Sequence, residues 1–431
     1  MRSAAFGGQR VLAILGAGIA VMLAAACTGT ASDGASGNAA AGADVTLEFA
    51  QWWEPELPPG LLRALMDKFE AENPTIKVEL RTAPFTSTRE LEVAGAAAGT
   101  MSDVVGLDGA WISDFSHWAI ADLSALMKDA GYDESQLASQ IKIDGKTNMI
   151  PVVNFVYPLF TNDDLLKRAG VAKPPSDRTQ FAAAAKAISA LGGNTKGWVL
   201  PLSLEEAHGI QNDVMSWVWS SGGSMLKDGK PDLTNQAVKS AVEYIKGLYD
   251  DNVIAPGALT MKEQDKVEDF TNGRVGMMID SLAHINLIRE NNKGLKFSIS
   301  AIPAADGFTG ERGIPYASWG VGIAESSKHK AEAWKLVQFL MSEKTNSELS
   351  SAAFAFPGNV KSVPDFVQSD KLLKAAFDIY HSGHPANEFT GLPVADQLMR
   401  QFDEQFQRVL TGDQSVDEML ATTQAAWMNE F

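Results

Sequence analysis

The stretch from residue 45 to residue 107 alternates between strand and helix patterns, and this alternation restricts the fold of the chain more than any other feature. Residues 45–50 and 76–80 alternate apolar and polar side chains, as half-buried strands do. Between them, an apolar stripe with helical spacing runs from Leu61 to Phe69, and Pro74 ends it. A helix pattern at 89–98 and a short apolar strand at 104–107 follow. This β-α-β-α-β order predicts a parallel sheet with crossover helices.

The rest of the chain alternates between regions with helix patterns and regions with strand patterns. Helix patterns dominate the middle, strand patterns return between 275 and 323, and helix patterns resume from residue 327. We therefore predict an α/β fold with two lobes, each a sheet flanked by helices, joined by a hinge that the chain crosses several times. Such hinges leave a cleft in which ligands bind. The predicted N-terminal lobe comprises residues 44–154 and 274–320, and the predicted C-terminal lobe comprises residues 155–273 and 321–431.

The first 43 residues have the composition of a leader and a tether. Arg2 and Arg10 precede a run of apolar and small residues that stops at Cys27, the one cysteine of the chain. This run is about 16 residues long, shorter than the roughly 20 that span a bilayer, so we assign residues 1–26 to a signal peptide. A cysteine directly after the cleavage position resembles the lipobox of bacterial lipoproteins, in which the thiol carries a lipid. Residues 27–43 are rich in Gly, Ala, Ser and Thr and predict a flexible tether.

Charge and motif content exclude several classes of protein. The chain has 53 acidic and 36 basic residues and a net charge of −17, which disfavours nucleic acid as a partner. Its six histidines are scattered and form no HExxH pair, so we predict neither a metal nor another cofactor. The sequence contains no GxSxG elbow and no recognisable catalytic set, so we expect no catalytic residues and no enzyme activity. We expect a monomer.

Several segments, in this order and at this spacing, are similar to one known family. They are 49–53 (FAQWW), 65–78 with its Asn-Pro turn, 102–105, 148–170, 270–279 (FTNGRVGMMI) and 318–334. Together they resemble the extracellular solute-binding proteins of bacterial ABC importers, specifically the carbohydrate-binding family that includes maltose-binding protein. Ser102 departs from the family pattern, which has proline there. The resemblance covers nearly the whole chain after the tether.

The resemblance implies a binding protein of the periplasmic-binding-protein type, anchored through Cys27 to the extracytoplasmic face of the cell membrane. It would capture a carbohydrate between the lobes and deliver it to the permease of an ABC importer. The number of aromatic candidates indicates a di- or oligosaccharide. A binding protein for a polyamine, a peptide or a glycerol-phosphate remains an alternative, because acidic and aromatic side chains also suit polyamines. A secreted carbohydrate-active enzyme is a further alternative.

A carbohydrate presents apolar CH faces and a rim of hydroxyls, so its site calls for aromatic rings beside fixed polar groups. Trp52, Trp53 and Glu54 follow the first strand, at the sheet edge where open α/β sheets bind ligands. Two adjacent tryptophans cannot both point inward on a strand, so we expect at least one to face the cleft. Asp108 and Trp111 follow the strand at 104–107 at the same edge. We expect Trp53→Ala to weaken binding at least tenfold and to leave the fold intact.

The other candidates lie at the predicted crossings or in the helix-rich middle: Asn154, Tyr157, Trp217, Trp219, Asp280, His284, Trp319 and Phe356. Trp217 and Trp219 are two residues apart, about 200° around a helix, so at most one of them faces the cleft squarely. Asp280 and His284 stand where the family often has glycine or tryptophan. For each candidate, packing in the core or hinge is the alternative role.

Overall fold

The computed structural model describes residues 44–431, apart from positions 110, 116, 117 and 393. The predicted signal peptide (1–26) and tether (27–43), including Cys27, lie outside the described residues. Within the described part of the chain, no helix has both the length and the apolar character needed to cross a membrane.

The strands are, in chain order, β1 (Val45–Gln51), β2 (Ile76–Thr82), β3 (Val104–Leu107), β4 (Ile141–Ile143), β5 (Lys146–Val156), β6 (Leu159–Asn162), β7 (Lys196–Trp198), β8 (Leu226–Lys227), β9 (Lys230–Pro231), β10 (Val275–Ile279), β11 (Phe297–Ser300), β12 (Gly313–Ile323), β13 (Phe356–Pro357) and β14 (His384–Ala386).

The α-helices are α1 (Leu61–Glu72), α2 (Phe85–Ala98), α3 (Ile112–Phe115), α4 (Leu123–Asp129), α5 (Asp163–Arg168), α6 (Arg178–Ser189), α7 (Ser216–Trp219), α8 (Gln236–Asp250), α9 (Glu263–Thr271), α10 (Ile285–Asn291), α11 (Lys330–Leu340), α12 (Glu343–Ala353), α13 (Phe366–Ser369), α14 (Lys371–Ser382), α15 (Ala395–Thr411) and α16 (Val416–Trp427). A π-helix at Ile210–Met215 runs directly into α7.

The helices form where an apolar stripe recurs with helical spacing. In α8, Val238, Val242, Ile245 and Leu248 are buried on one face, and the side chain of Asn235 accepts hydrogen bonds from the first free backbone amides. The segment 210–219 is helical, as the helix patterns of the middle predict, but its first part, Ile210–Met215, is wound as a π-helix. Such π-turns often occur at functional sites.

Two sheets organise the molecule, as the two-lobed prediction requires. The first has the order β13-β5-β12-β3-β1-β2, with β4 and β14 added at β5 and β12, and the second has the order β11-β6-β10-β7. The pairs β1–β2 and β1–β3 are parallel, which confirms the predicted crossover arrangement. We call the parts built on these sheets the first lobe and the second lobe. The long strands β5 and β12 lead from the first sheet toward the second.

The strand pairing differs from the predicted division of the chain. Residues 274–320 were assigned to the N-terminal lobe, but β10 and β11 pair with β6 in the second sheet, and only β12 joins the first. Residues 321–431 were assigned to the C-terminal lobe, but α11 and α12 pack on the first sheet. Helices α15 and α16 pack with α8 of the second lobe. The prediction failed because the sequence pattern of a strand does not reveal which sheet the strand joins.

Candidate functional site

The two tryptophans after β1 are both buried. Trp53 has no exposed surface, and Trp52 is 4% exposed. Because β1 ends at Gln51, the alternation of a strand does not apply to them, and their burial does not decide which of the two faces the cleft. The Trp53 ring stacks on Trp319, with centroids 5.2 Å apart and an interplanar angle of 7°. Trp53 is therefore part of the first-lobe core.

Trp52 belongs to a second aromatic group that reaches the other lobe. Its ring lies 5.1 Å from Phe85 and 4.9 Å from Trp111, and Phe85 lies 4.4 Å from Trp111. Phe85 also meets His208 of the second lobe edge-to-face at 5.4 Å. The structure thus brings the predicted pair Trp52 and Trp111 together at the junction of the lobes.

The first turns of α2 contact the second lobe beyond this aromatic group. The Thr86 hydroxyl donates to the Glu206 carboxylate at 3.1 Å. One turn later, the Arg89 guanidinium lies 3.6 Å from Asp396 on α15. The lobes therefore touch along one face of α2, next to the predicted site.

Glu54 lies at the same junction, tied to the edge of the first sheet. Its carboxylate accepts from the Thr82 hydroxyl at 2.5 Å, and its backbone amide donates to Gln51 Oε1 at 3.0 Å. Asp108 follows β3, and its backbone carbonyl accepts from the Trp111 amide at 3.0 Å. Both carboxylates therefore stand on short turns at the carboxyl ends of parallel strands, as predicted from the sequence.

Three predicted residues lie where β5, β12 and β13 run side by side. Asn154 of β5, which is 6% exposed, pairs with Ser318 on one side and with Phe356 on the other. The β12 register shifts after Trp319, and a Cβ at Gly320 would lie 2.0 Å from the end of the Met149 side chain, which would then have to move. Phe356 stacks on Tyr380 at 4.2 Å. In this conformation Trp319 and Phe356 pack in the interior.

The helix-rich middle places its two candidates in different surroundings. Trp217 is fully buried and packs edge-to-face on Phe181 at 4.9 Å and on Trp198 at 5.7 Å. Trp219 donates its indole N–H to Glu388 Oε2 at 2.7 Å. Trp217 therefore has the surroundings of a core residue, and Trp219 holds the segment around Glu388 against the second lobe.

Asp280 and His284 belong to a buried ionic cluster that the sequence did not reveal. At its centre lies Lys266 of α9, with no exposed side-chain surface. Its Nζ lies 3.2 Å from Asp213, 3.3 Å from Asp280 and 3.0 Å from Glu263, and it donates to the carbonyl of Ile279 at 2.9 Å. His284 Nδ1 lies 2.9 Å from Asp280. The π-helix, α9 and the turn after β10 are thus joined by one ammonium.

Burial and neighbouring charge shift the ionisation of this cluster. Burial opposes ionisation of Asp280, but His284 and Lys266 outweigh it and lower its pKa. Burial also opposes the charged form of His284, but Asp280 raises its pKa to about 9. The pKa of Asp213 is raised by burial, against the attraction of Lys266. Asp280 and His284 therefore form an ion pair at neutral pH.

Tyr157 lies among acids from both lobes. Burial raises the pKa of its phenol well above the usual value, and the carboxylates of Glu263, Asp108, Asp280 and Glu56 add to the effect. Its side chain is 9% exposed, and its backbone amide donates to Pro315 at 2.9 Å. The charges of two other predicted residues, Asp108 and Asp280, thus both act on Tyr157.

Sequence reasoning missed Glu56, Phe85, His208, Asp213, Glu263 and Lys266. For Lys266 a signal was available, because Lys266, Val267 and Phe270 form the buried face of α9 and a lysine on such a face is unusual. For Asp213, the polar run 211–213 between apolar residues was a weaker signal. No local pattern in the sequence marks Glu56. The charges that act on it, those of His284, Asp280 and Glu263, all belong to the second lobe.

Glu263, Asp280 and His284 offer ligand atoms within 4.8 Å of one another, the spacing of a metal site. The ammonium of Lys266, however, lies 3.0 Å from Glu263 and 3.3 Å from Asp280. A cation is therefore already present among these carboxylates and belongs to the chain itself.

A surface cavity of about 560 Å³ is formed by the segment 249–260 of the second lobe. Tyr249, Ile254, Pro256 and Thr260 line part of it, together with neighbouring residues of the 249–260 segment. None of the predicted site residues lines it. The junction between the lobes, where aromatic and charged side chains converge, is chemically the better candidate site.

Comparison with known proteins gives a consistent picture. The family model described as bacterial extracellular solute-binding protein matches residues 54–347. A protein of Brucella abortus (strain 2308) whose name describes a binding protein is 32% identical over 298 residues, covering 68% of this chain and 71% of that protein.

Solved structures share the fold. The GacH receptor of Streptomyces glaucescens, solved unliganded and with acarbose, superposes with a TM-score of 0.76 at 21% identity, covering 90% of this chain and 98% of that one. The maltose-bound MalE3 of T. maritima superposes with a TM-score of 0.75 at 21% identity, covering 90% and 100%. Both support the two-lobed architecture derived from the strand pairing.

Proposed function

This chain belongs to the family of bacterial extracellular solute-binding proteins, and we propose that it captures a carbohydrate between its lobes and passes it to an ABC importer. Binding proteins of this kind hold a solute without transforming it, so we propose no catalytic step. The ligand would favour the closed arrangement because it touches both lobes at once. A di- or oligosaccharide fits the number of aromatic rings near the junction.

One observation carries this proposal most directly. An aromatic group of the first lobe, centred on Trp52, Phe85 and Trp111, stands at a junction where carboxylates of both lobes converge around Tyr157. Rings that cover CH faces beside acceptors that fix hydroxyls are what a carbohydrate requires. The acarbose and maltose found with the two solved structures agree with this class of ligand.

A thermal-shift screen tests the class of ligand. We expect mono- or oligosaccharides to raise the melting temperature, because a ligand that binds only the folded state stabilises it. The panel should include neutral sugars, spermidine, short peptides and glycerol 3-phosphate. A rise with one of the last three and with no sugar would contradict the proposal. Release of products from a bound sugar, followed by chromatography, would contradict binding without turnover.

Tyr157→Phe tests the polar part of the site. We expect it to weaken sugar binding about 3- to 10-fold by calorimetry, the value of one hydrogen bond, and to leave the melting temperature of the free protein unchanged. The reason is that the Tyr157 hydroxyl has no hydrogen-bond partner among the described residues, so its removal breaks no contact within the fold.

Tyr132→Phe is the matched control. Tyr132 packs on Trp334 at 5.5 Å, and its hydroxyl is also buried without a hydrogen-bond partner among the described residues. Helix α11, which carries Trp334, packs on the first sheet, and within the described residues the hydrogen bonds and ring contacts of Tyr132 involve no residue that we place in the site. We therefore expect unchanged affinity. Equal losses in both variants, or no loss in Tyr157→Phe, would remove Tyr157 from the site.

We further propose that Cys27 carries a lipid that holds the protein at the extracytoplasmic face of the membrane, next to its permease. Tethering would raise the local concentration of loaded protein at the transporter. We expect Cys27→Ala to release the protein from the membrane fraction with sugar affinity unchanged. Immunoblots of fractionated cells, with Ser36→Ala in the tether as control, check this. A wild-type protein found only in the soluble fraction would contradict it.

A further inference from the structure

A short segment of the second lobe reaches across the junction and contacts the first lobe beside the candidate site. It comprises residues 387–391, and we call it the strap. It follows β14, which pairs with the beginning of β12. The Asn387 side chain donates to the backbone carbonyl of Tyr316 at 3.0 Å and accepts from the amide of Phe389 at 3.0 Å. The strap thus starts beside β12, one of the two strands that lead from one lobe to the other.

Glu388 fastens the strap to the second lobe. Its carboxylate accepts a hydrogen bond from the indole N–H of Trp219 at 2.7 Å and another from the hydroxyl of Ser224. It also accepts from the backbone amides of Met225 at 2.9 Å and Leu226 at 3.3 Å. Hydrogen bonds to a carboxylate are stronger than those between neutral groups, and four donors converge on this one. Glu388 therefore moves with the second lobe.

Phe389 adds an apolar anchor to the same lobe. Its side chain has no exposed surface, and its ring meets Trp427 of α16 edge-to-face at 5.7 Å. Helix α16 packs with α8 of the second lobe. Withdrawing the ring would expose its apolar surface to water, which is unfavourable. Glu388 and Phe389 together fix the base of the strap to the second lobe.

The other end of the strap contacts the first lobe. The backbone amide of Gly391 donates to the carbonyl of Gly109 at 3.3 Å. A Cβ at Gly109 would lie 3.0 Å from Cγ2 and 3.1 Å from Oγ1 of Thr390, so Thr390 packs directly on the backbone of Gly109. Gly109 belongs to the turn after β3 that carries two candidate site residues, Asp108 and Trp111. The tip of the strap therefore holds this turn from the opposite lobe.

Resting on the proposed function, we infer that the strap acts as a latch, in which Thr390 and Gly391 lock the turn at Gly109 when the lobes close on a sugar. Its base is fixed to one lobe and its tip touches the other, so the tip contact exists only when the lobes are together. A contact made only in the closed arrangement favours that arrangement, and the apparent affinity of a ligand that needs it rises with its population. Thr390 is thus a positioning residue that acts through the turn.

A double-mutant cycle tests the latch by calorimetry on the purified full chain, with maltose, cellobiose and maltotriose as probes. Gly109→Ala adds one methyl group against Thr390, and the fixed base leaves the strap little room to give way. We expect sugar affinity to fall about fivefold. Thr390→Ala removes both atoms that the methyl would meet and leaves its own Cβ 3.5 Å away, an ordinary contact. In that background, Gly109→Ala should change the affinity by less than about twofold.

The cycle compares the two Gly109→Ala steps, because Thr390→Ala by itself also removes a hydrogen bond to the Tyr316 side chain. The melting temperature of the sugar-free protein should stay the same in Gly109→Ala, since the lobes can part and relieve the contact. The backbone of Gly109 lies outside the left-handed region, so alanine fits it. Gly247→Ala is the control, because a Cβ at this exposed position of α8 meets nothing within 4 Å. It should leave the affinity unchanged.

A pair of cysteines tests the same contact without sugar. The Cβ atoms at positions 109 and 390 would be 3.5 Å apart, within the range that a disulfide spans. Gly109→Cys and Thr390→Cys are combined with Cys27→Ser, so that no other thiol is present. We expect oxidised glutathione to crosslink this pair at least about tenfold faster than Gly247→Cys with Thr390→Cys. The crosslinked protein should not take up sugar until it is reduced, because the lobes cannot part.

The outcomes separate the two proposals. Equal losses of affinity from Gly109→Ala in both backgrounds, no loss at all, or a crosslink no faster than that of the control pair would overturn the latch and leave the proposed function standing. A lower melting temperature with unchanged affinity would reduce the contact to packing and would also overturn it. A wild-type protein that binds no sugar would overturn the proposed function, and the latch with it, even if the crosslink formed.

Discussion

Lys266→Met is expected to lower the free energy of unfolding by about 3–5 kcal/mol, because it leaves buried carboxylates without their cation. Asp213 and Asp280 have no exposed side-chain surface, and both lie within 3.3 Å of the Lys266 ammonium. Methionine fills a similar volume but cannot donate to them or to the carbonyl of Ile279. Urea denaturation at pH 7, followed by circular dichroism, measures the loss.

Lys239→Met is the matched control for this prediction. Lys239 is also paired with an aspartate on another helix, Asp417, at 2.5 Å, but that aspartate is 74% exposed. Water screens such a pair, so we expect a loss of less than about 1 kcal/mol. A second variant, Lys266→Met combined with Asp213→Leu, should recover part of the stability, because one uncompensated acid is gone. Equal losses for Lys266→Met and Lys239→Met would show that the buried cluster does not stabilise the fold.

Trp53→Ala is expected to destabilise the protein by about 3–5 kcal/mol, as other large-to-small changes in aromatic cores do. Trp53 is fully buried, stacks on Trp319 at 5.2 Å and meets Phe49 edge-to-face at 5.4 Å. The sequence alone predicts a loss of binding with the fold intact, whereas the burial of Trp53 predicts a loss of stability. Thermal and urea unfolding without ligand measure the stability directly.

Trp118→Ala provides the comparison. Trp118 is 55% exposed, so its removal should change the free energy of unfolding by no more than about 0.5 kcal/mol. If Trp53→Ala were as stable as Trp118→Ala and yet bound sugar poorly, Trp53 would be a ligand contact and the packing argument would be wrong.

The candidate site could be predicted in part because turns at the carboxyl ends of parallel strands are marked in the sequence. Trp52, Glu54, Asp108 and Trp111 follow β1 and β3, which pair side by side, so these residues had to lie near one another. Phe85 and His208 could not be found in this way. They approach each other only because the second lobe packs against α2, and no local pattern encodes that contact.

The sequence by itself determined the strand and helix order, the two-lobed α/β fold and the family, because periodicity and ordered motifs are local properties of the chain. Only the tertiary structure decided that β10 and β11 join the second sheet and that Trp53 is a core residue. It alone revealed the buried ionic cluster around Lys266, which brings together Asp213, Glu263, Asp280 and His284. Burial and ion pairing depend on which distant segments meet, and water is excluded only where they do.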